Sequence, residues 1–172
     1  MVPFGIGMAA TVRVGHAVGR NDAAAVRRAG FVATLLGIVC GSAMTLAGIF
    51  GRFAIARFFF GEAAESADLV IELTATLLMV GATFFVADGI QTIAAGALRG
   101  MNDTRIPLLF AAISYWLIGF TAAYGLAFGA KFGAVGVWIG LSCGTAVYAV
   151  LLLLRFQSLA RRLQLAPVNS AH

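Results

Sequence analysis

Asp88 is an acid in the middle of an apolar stretch. From Leu73 to Leu98 it is the only charged side chain. A charged Asp at the centre of a membrane helix costs about 2.5–3.5 kcal/mol on insertion scales. Acids in such places face a cavity or a partner and mark proton or cation pathways. Helical spacing puts Gly81, Phe84, Phe85, Gln91, Thr92 and Ala95 on the same stripe as Asp88. Met79, Val86, Ile90 and Ile93 lie on the other side. Asp88 therefore sits on the helix's most polar face. One reading is a proton or cation site at Asp88 and Gln91, lining a water-filled cavity with Gly81, Phe84, Thr92 and Ala95. The other is a structural acid hydrogen-bonded to a neighbouring helix.

Little else in the chain suggests chemistry. Cys40 and Cys143 both lie inside apolar runs and read as small packing residues. Ser42, Ser114 and Ser142 have no nearby His to activate them. There is no nucleophile–base pair, metal-ligand cluster or phosphate loop, so the reading is of no enzyme, no metal and no cofactor. His16 sits in a basic connector, and His172 is terminal. Arg99 to Arg105 reads as a helix end and turn. Gly100 suits the C-cap, Arg99 complements the helix's negative end, and Asp103 can pair with either arginine. Ile106-Pro107 then opens a new helix.

The elements that must position Asp88 follow from composition. Hydrophobic residues make up 61% of the 172, charged residues 11%, and there are 21 Gly. The mean hydropathy is +0.96. A soluble domain carries about 25% charged residues, so a water-soluble enzyme is excluded, and disorder with it. The net charge of +5 would suggest nucleic acid in a soluble chain. Here the basic residues cluster at the ends of apolar spans, so orientation in a bilayer explains them and no nucleic-acid partner is expected.

Uncharged runs at Ala29–Gly51, Ile106–Ala130 and Phe132–Leu154 each exceed the ~20 residues that cross a bilayer as a helix. Leu73–Leu98 makes a fourth span. Met1–Val12 gives only ~18 Å of helix, unless the helix continues to Gly19 with Arg13 and His16 at the interface. The expected fold is all-α: a polytopic transmembrane bundle of four full spans plus one partial N-terminal span. A chain that opens inside a half-span reads as part of a larger membrane protein.

Nine Lys/Arg fall on the side of Arg13–Arg28, Arg99–Arg105 and the tail, against three in the Arg52–Glu72 connector and the turn at Lys131. The positive-inside rule puts the first group, and the C-terminus, in the cytoplasm. The tail beyond Arg162 is expected to fray. Glycines spaced by four (Gly15/Gly19, Gly37/Gly41, Gly96/Gly100, Gly125/Gly129, and the ridge Gly136/Gly140/Gly144) suit close helix packing. Tyr115, Trp116, Tyr124, Trp138 and Tyr148 read as interfacial belts or packing.

Several blocks, taken together and in order, resemble the multidrug and toxic compound extrusion (MATE) family of secondary antiporters. Pro3-Phe4-Gly5-Ile6-Gly7-Met8-Ala9, followed by Val12-Arg13-Val14-Gly15-His16-Ala17-Val18-Gly19, is similar to the end of that family's eighth helix. Asp88-Gly89-Ile90-Gln91, with Gly96-Ala97-Leu98-Arg99-Gly100, is similar to its tenth-helix D-x-x-Q…G-x-LRG block. Tyr115 to Gly119 and Gly136 to Gly140 resemble its eleventh and twelfth helices.

The resemblance implies that residues 1–162 are most of the C-terminal lobe of a twelve-helix, two-lobe exporter, with 163–172 a cytoplasmic tail. The N-terminal lobe would be the missing partner, and the lipid bilayer and small organic molecules, often cationic, the others. Asp88, with Gln91, would be the acid that couples export to H⁺ or Na⁺. Arg13, Gly15 and Gly19, and Arg99 and Gly100, would be helix-end motif residues. The location implied is the bacterial plasma (inner) membrane.

Two positions depart from the family pattern. Some sodium-coupled members carry Tyr four residues before the acid, where this chain has Phe84. The eleventh helix often continues Gly-x-Pro, and here it reads Gly119-Phe120-Thr121. Two rival readings belong to other classes. A lipid-linked-precursor flippase of the same superfamily would want a strongly cationic cavity, and no Lys/Arg falls between Leu73 and Leu98. The other rival is a non-transporting structural or truncated membrane protein.

Overall fold

A computed structural model describes residues 1–60 and 67–165. Five helical rods follow one another: α1 (Val2–Gly19), α2 (Ala23–Phe60), α3 (Ala67–Gly100), α4 (Arg105–Gly129) and α5 (Gly133–Leu165). Among the described residues, four helices are long and apolar enough to cross a membrane. The protein is a multi-pass integral membrane protein. α1 has 18 residues, about 27 Å of helix, so the partial span does continue to Gly19.

The helices outrun the uncharged runs at most ends. α2 begins at Ala23 rather than Ala29, because the chain turns within three residues. Asn21 takes a left-handed φ of 54°, and Asp22 Oδ1 accepts the backbone N–H of Ala25 at 2.9 Å, capping the new helix. The basic connector at Arg13–Arg28 is thus mostly helix. α5 runs through Leu165, past the expected end at Arg162. Residues 166–172, which hold most of the expected frayed tail, lie outside the described residues.

α3 is the central helix, flanked by α1, α2 and α5. Its glycines explain how. A Cβ on Gly96 would collide with the backbone of Gly7 on α1, and one on Gly100 would lie 2.6 Å from Thr11 O. Thr11 Oγ1 donates across this contact to Gly96 O at 2.8 Å. On the α2 side a Cβ on Gly41 would come within 2.9 Å of Val86 Cα, while the fully buried Ile93 occupies the space left by Gly37. Thr45 Oγ1 donates to Ala82 O at 2.7 Å. In lipid, close packing and interhelical hydrogen bonds replace the hydrophobic drive as the glue, and small residues make both possible. Gly19, Gly125 and Gly129 have no such neighbour within 4 Å, so their spacing does not serve packing among the described residues.

Two details of the turn after α3 correct the sequence reading. Gly100 stays helical, and the left-handed residue is Asn102, at φ 59°. The absent Cβ of Gly100 serves the approach of α1 instead. Asp103 pairs with neither Arg99 nor Arg105 but with Arg155 on α5, Oδ2 to Nε at 2.7 Å. The turn brings Asp103 beside the end of α5, a neighbour that local spacing does not reveal.

α4 needs no proline to depart from regularity. Ile113–Gly119 and Gly125–Gly129 are π-helical, with wider turns. Residues five apart on an α-helix diverge by about 140°. The π-turn brings Ser114 and Gly119 to one buried side, against Gly144 of α5. On the outer side Trp116, Phe120, Tyr124 and Phe128 form a ladder of exposed rings, with centroids 5.1–6.5 Å apart. Exposed rings at this spacing suit a lipid-facing surface.

Candidate functional site

Asp88 lies about 18 Å along α3 from its Gly100 end, half-buried and well inside the span. Gln91, one turn on, donates from Nε2 to Asp88 Oδ1 at 2.8 Å. Its other end is held from α4, where Tyr115 O–H donates to Gln91 Oε1 at 2.6 Å. Tyr115 belongs to the π-helical segment of α4. Its ring lies 5.6 Å from that of Tyr148 on α5, tilted by 58°. The polar chain Tyr115–Gln91–Asp88 therefore links α4 to the acid on α3, with α5 behind it.

The other stripe residues divide between neighbours. Phe84 meets Trp138 of α5 edge-on, with centroids 6.5 Å apart, and Gly81 faces the same indole. Ala95 packs against the buried cluster that includes Ala94, Leu98 and Leu152. Thr92 lies against Gly7 of α1, its carbonyl oxygen 3.1 Å from where a Cβ would sit. Gly81 and Phe84 thus share a face toward α5, while Thr92 is in the α1 contact. Phe84 offers no oxygen where a tyrosine would.

The helix-end residues gather at one end of the bundle. Gly15 faces Gly100. Arg13 is exposed and lines a groove of about 760 Å³ between α1 and α2, with His16, Arg20 and Arg28. Arg99 is exposed, with its Nε donating to Ala95 O at 3.3 Å. Gly19 is exposed at the last turn of α1.

Tyr115, which the sequence presents as belt or packing, is the site residue that sequence reasoning misses. One signal was available: a tyrosine hydroxyl in mid-span needs a hydrogen-bond partner.

Chemically the arrangement presents a carboxylate, an amide and a phenol in series. The direction of the donors matters. Tyr115 fills Gln91 Oε1, so the amide N–H₂ is turned to Asp88 and occupies Oδ1, while Oδ2 has no hydrogen bond among the described residues.

Residues 1–125 match the sequence model of the MatE family, and the chain belongs to that family. It is 66% identical over 163 residues to the probable multidrug resistance protein NorM of Bradyrhizobium diazoefficiens, covering 95% of this chain and 35% of that protein. It is 45% identical to the multidrug resistance protein NorM of Burkholderia vietnamiensis, covering 97% and 36%. Among solved structures it is similar to the eukaryotic MATE transporter AtDTX14, with 25% identity and a TM-score of 0.80 over 95% of this chain and 36% of that one. An inward-facing multidrug resistance MATE transporter shares the fold, with a TM-score of 0.83 at 19% identity over 94% of this chain and 36% of that one. The chain thus spans about a third of the length of the relatives it matches.

Proposed function

We propose that the chain is the C-terminal-lobe part of a cation-coupled multidrug exporter, with Asp88 as its coupling acid. The observation that carries this reading is the hydrogen-bonded series from Tyr115 through Gln91 to Asp88. Family membership and the names of the relatives support export of organic compounds as the activity of the whole protein. Alternating access would rock this lobe against the N-terminal one around a central cavity, as in other repeat-built transporters. H⁺ or Na⁺ at Asp88 would compete with the Gln91 amide for the carboxylate and weaken that hydrogen bond, so that occupancy of the acid is felt through Gln91 and Tyr115 on α4. Binding at one state and release at the other gives the ion its leverage on the lobe equilibrium.

The test is a chimera in which this chain replaces the matching segment of the Bradyrhizobium relative, assayed for dye efflux in inverted vesicles driven by a pH or sodium gradient. Gln91→Ala and Tyr115→Phe should each slow gradient-driven efflux by about two- to tenfold, the worth of a neutral hydrogen bond of about 0.5–1.5 kcal/mol. Unchanged efflux in both would remove the relay from the mechanism.

Orientation belongs to the same proposal: the Lys/Arg-rich end faces the cytoplasm. Val18, Asn102, Asp103 and Arg162 line one cavity of about 430 Å³, so the ends of α1, α3 and α5 lie together. Single cysteines at Arg20 and Asn102 should resist an impermeant thiol reagent added outside intact cells, in a background lacking Cys40 and Cys143. One at Lys131, in the turn before α5, should react. Glu65, which also falls on the far side in the sequence reading, lies outside the described residues. The reverse labelling pattern would invert the topology.

A further inference from the structure

The groove between α2 and α5, about 720 Å³ in volume, has walls that change character in the same direction. On α2 it runs from Arg27 and Arg28 through Phe31 to Thr34, two turns or about 10 Å of rise. On the antiparallel α5 it runs from Arg161 through Gln157 to Leu153. Both walls therefore begin in guanidinium groups near the helix ends and lead inward to the large apolar side chains Phe31 and Leu153, while the hydroxyl of Thr34 is satisfied within α2 by Gly30 O at 2.8 Å. None of the groove's lining residues is acidic. The floor is the ring of the buried Phe156, seated where a Cβ on Gly30 would collide with it. One side is open, where Phe31, within the candidate span Ala23–Ile55, is 69% exposed.

We infer that this groove binds an anionic phospholipid. The phosphate would sit between Arg28 and Arg161, where guanidinium forks match its geometry. The amide of Gln157 would reach the ester level, and an acyl chain would lie along Phe31 and Leu153. A soluble phosphate would use only the mouth, and a zwitterionic lipid only the lower walls. The fit of both halves together is what selects a lipid of negative charge. Basic pockets between membrane helices are a recurring means of holding such headgroups. This inference does not depend on whether the whole protein exports drugs.

Native mass spectrometry of the purified 172-residue chain in neutral detergent tests it, with phosphatidylglycerol, phosphatidylcholine of the same acyl chains, and inorganic phosphate as probes. Phosphatidylglycerol should bind at least about tenfold more tightly than phosphatidylcholine, and phosphate weakly. Arg28→Gln with Arg161→Gln should erase that preference, a loss of about 25-fold if each surface arginine contributes about fivefold. Arg13→Gln with Arg20→Gln, at the same end but in the α1–α2 groove, should leave it unchanged. Equal binding of the two lipids would overturn the inference, as would an equal loss in both double variants, which indicates diffuse surface charge. Phosphate binding as tight as that of the lipid would also overturn it. If the groove variant does not fold, Phe31→Trp provides a second test. Brominated phosphatidylglycerol should quench its added fluorescence more than brominated phosphatidylcholine, and equal quenching would refute the site.

Discussion

Asp88→Asn in the chimeric full-length transporter should reduce gradient-driven efflux to background while leaving expression and thermal stability near those of the parent. The expectation rests on what asparagine keeps. Its side-chain oxygen can still accept the Gln91 amide that lies 2.8 Å from Asp88 Oδ1, and Tyr115 can still hold the far end of that amide. Shape and hydrogen bonding survive, and only the capacity to ionise is lost. A protein that uses the acid as a packing anchor would not register the change. One that uses it to take up and release an ion would lose coupling altogether, because an uncharged site has no differential affinity to offer the two lobe states. The effect should exceed those of Gln91→Ala and Tyr115→Phe, which remove support and leave the acid. Dye efflux at the parental rate in the Asn variant would make Asp88 structural and place coupling in the part of the transporter outside this chain. Binding of the dye, measured without a gradient, separates the two outcomes from simple loss of substrate affinity.

The parts of this arrangement that sequence alone makes legible are those governed by local spacing. Four spans could be placed because a run of twenty apolar residues has few uses in water. Asp88 and Gln91 could be paired because residues three apart on a helix share a face. Tyr115 could not be joined to them, since it is 24 positions away and meets Gln91 only after α4, packed on α5, is brought beside α3. Its hydroxyl calls for a partner in mid-span, but local spacing does not say which, because aromatic rings in a membrane helix serve belts and packing equally well. Asp103 shows the same limit. Its two local arginines were plausible partners, yet Arg155, 52 positions on, is the one the bundle supplies. Gly100 looked like a cap because glycines often are. Whether a glycine ends a helix or admits a neighbour depends on what lies opposite, and here that is the backbone of α1.

The glycines also permit a test in which otherwise similar substitutions should part. Gly140→Ala places a methyl group into the backbone of Ala123 on α4, and Gly96→Ala places one into the backbone of Gly7 on α1. Backbone cannot swing aside as a side chain does, so the helices must separate. Overpacking of this kind costs about 1–3 kcal/mol. Nothing compensates in lipid, where van der Waals contact is a principal source of association. Gly5→Ala and Gly125→Ala meet nothing within 4 Å and lie in helical backbone. There the methyl group relieves the entropic cost of glycine, about 0.5–1 kcal/mol, and should be neutral or mildly stabilising. Thermal unfolding of the purified chain in detergent should therefore show lower midpoints for the first pair and unchanged or higher ones for the second. Gly140→Ala carries a further consequence, because α5 supports the π-helical stretch that carries Tyr115. Displacing α4 should weaken the hold on Gln91, so in the chimera this variant should lower coupled efflux at least as far as Tyr115→Phe does. Gly96→Ala acts at the α1 contact and should spare that hydrogen bond, lowering stability more than it alters the gradient dependence of transport. Equal midpoints for all four variants would mean that α1 and α5 do not approach α3 and α4 as closely as the glycines permit.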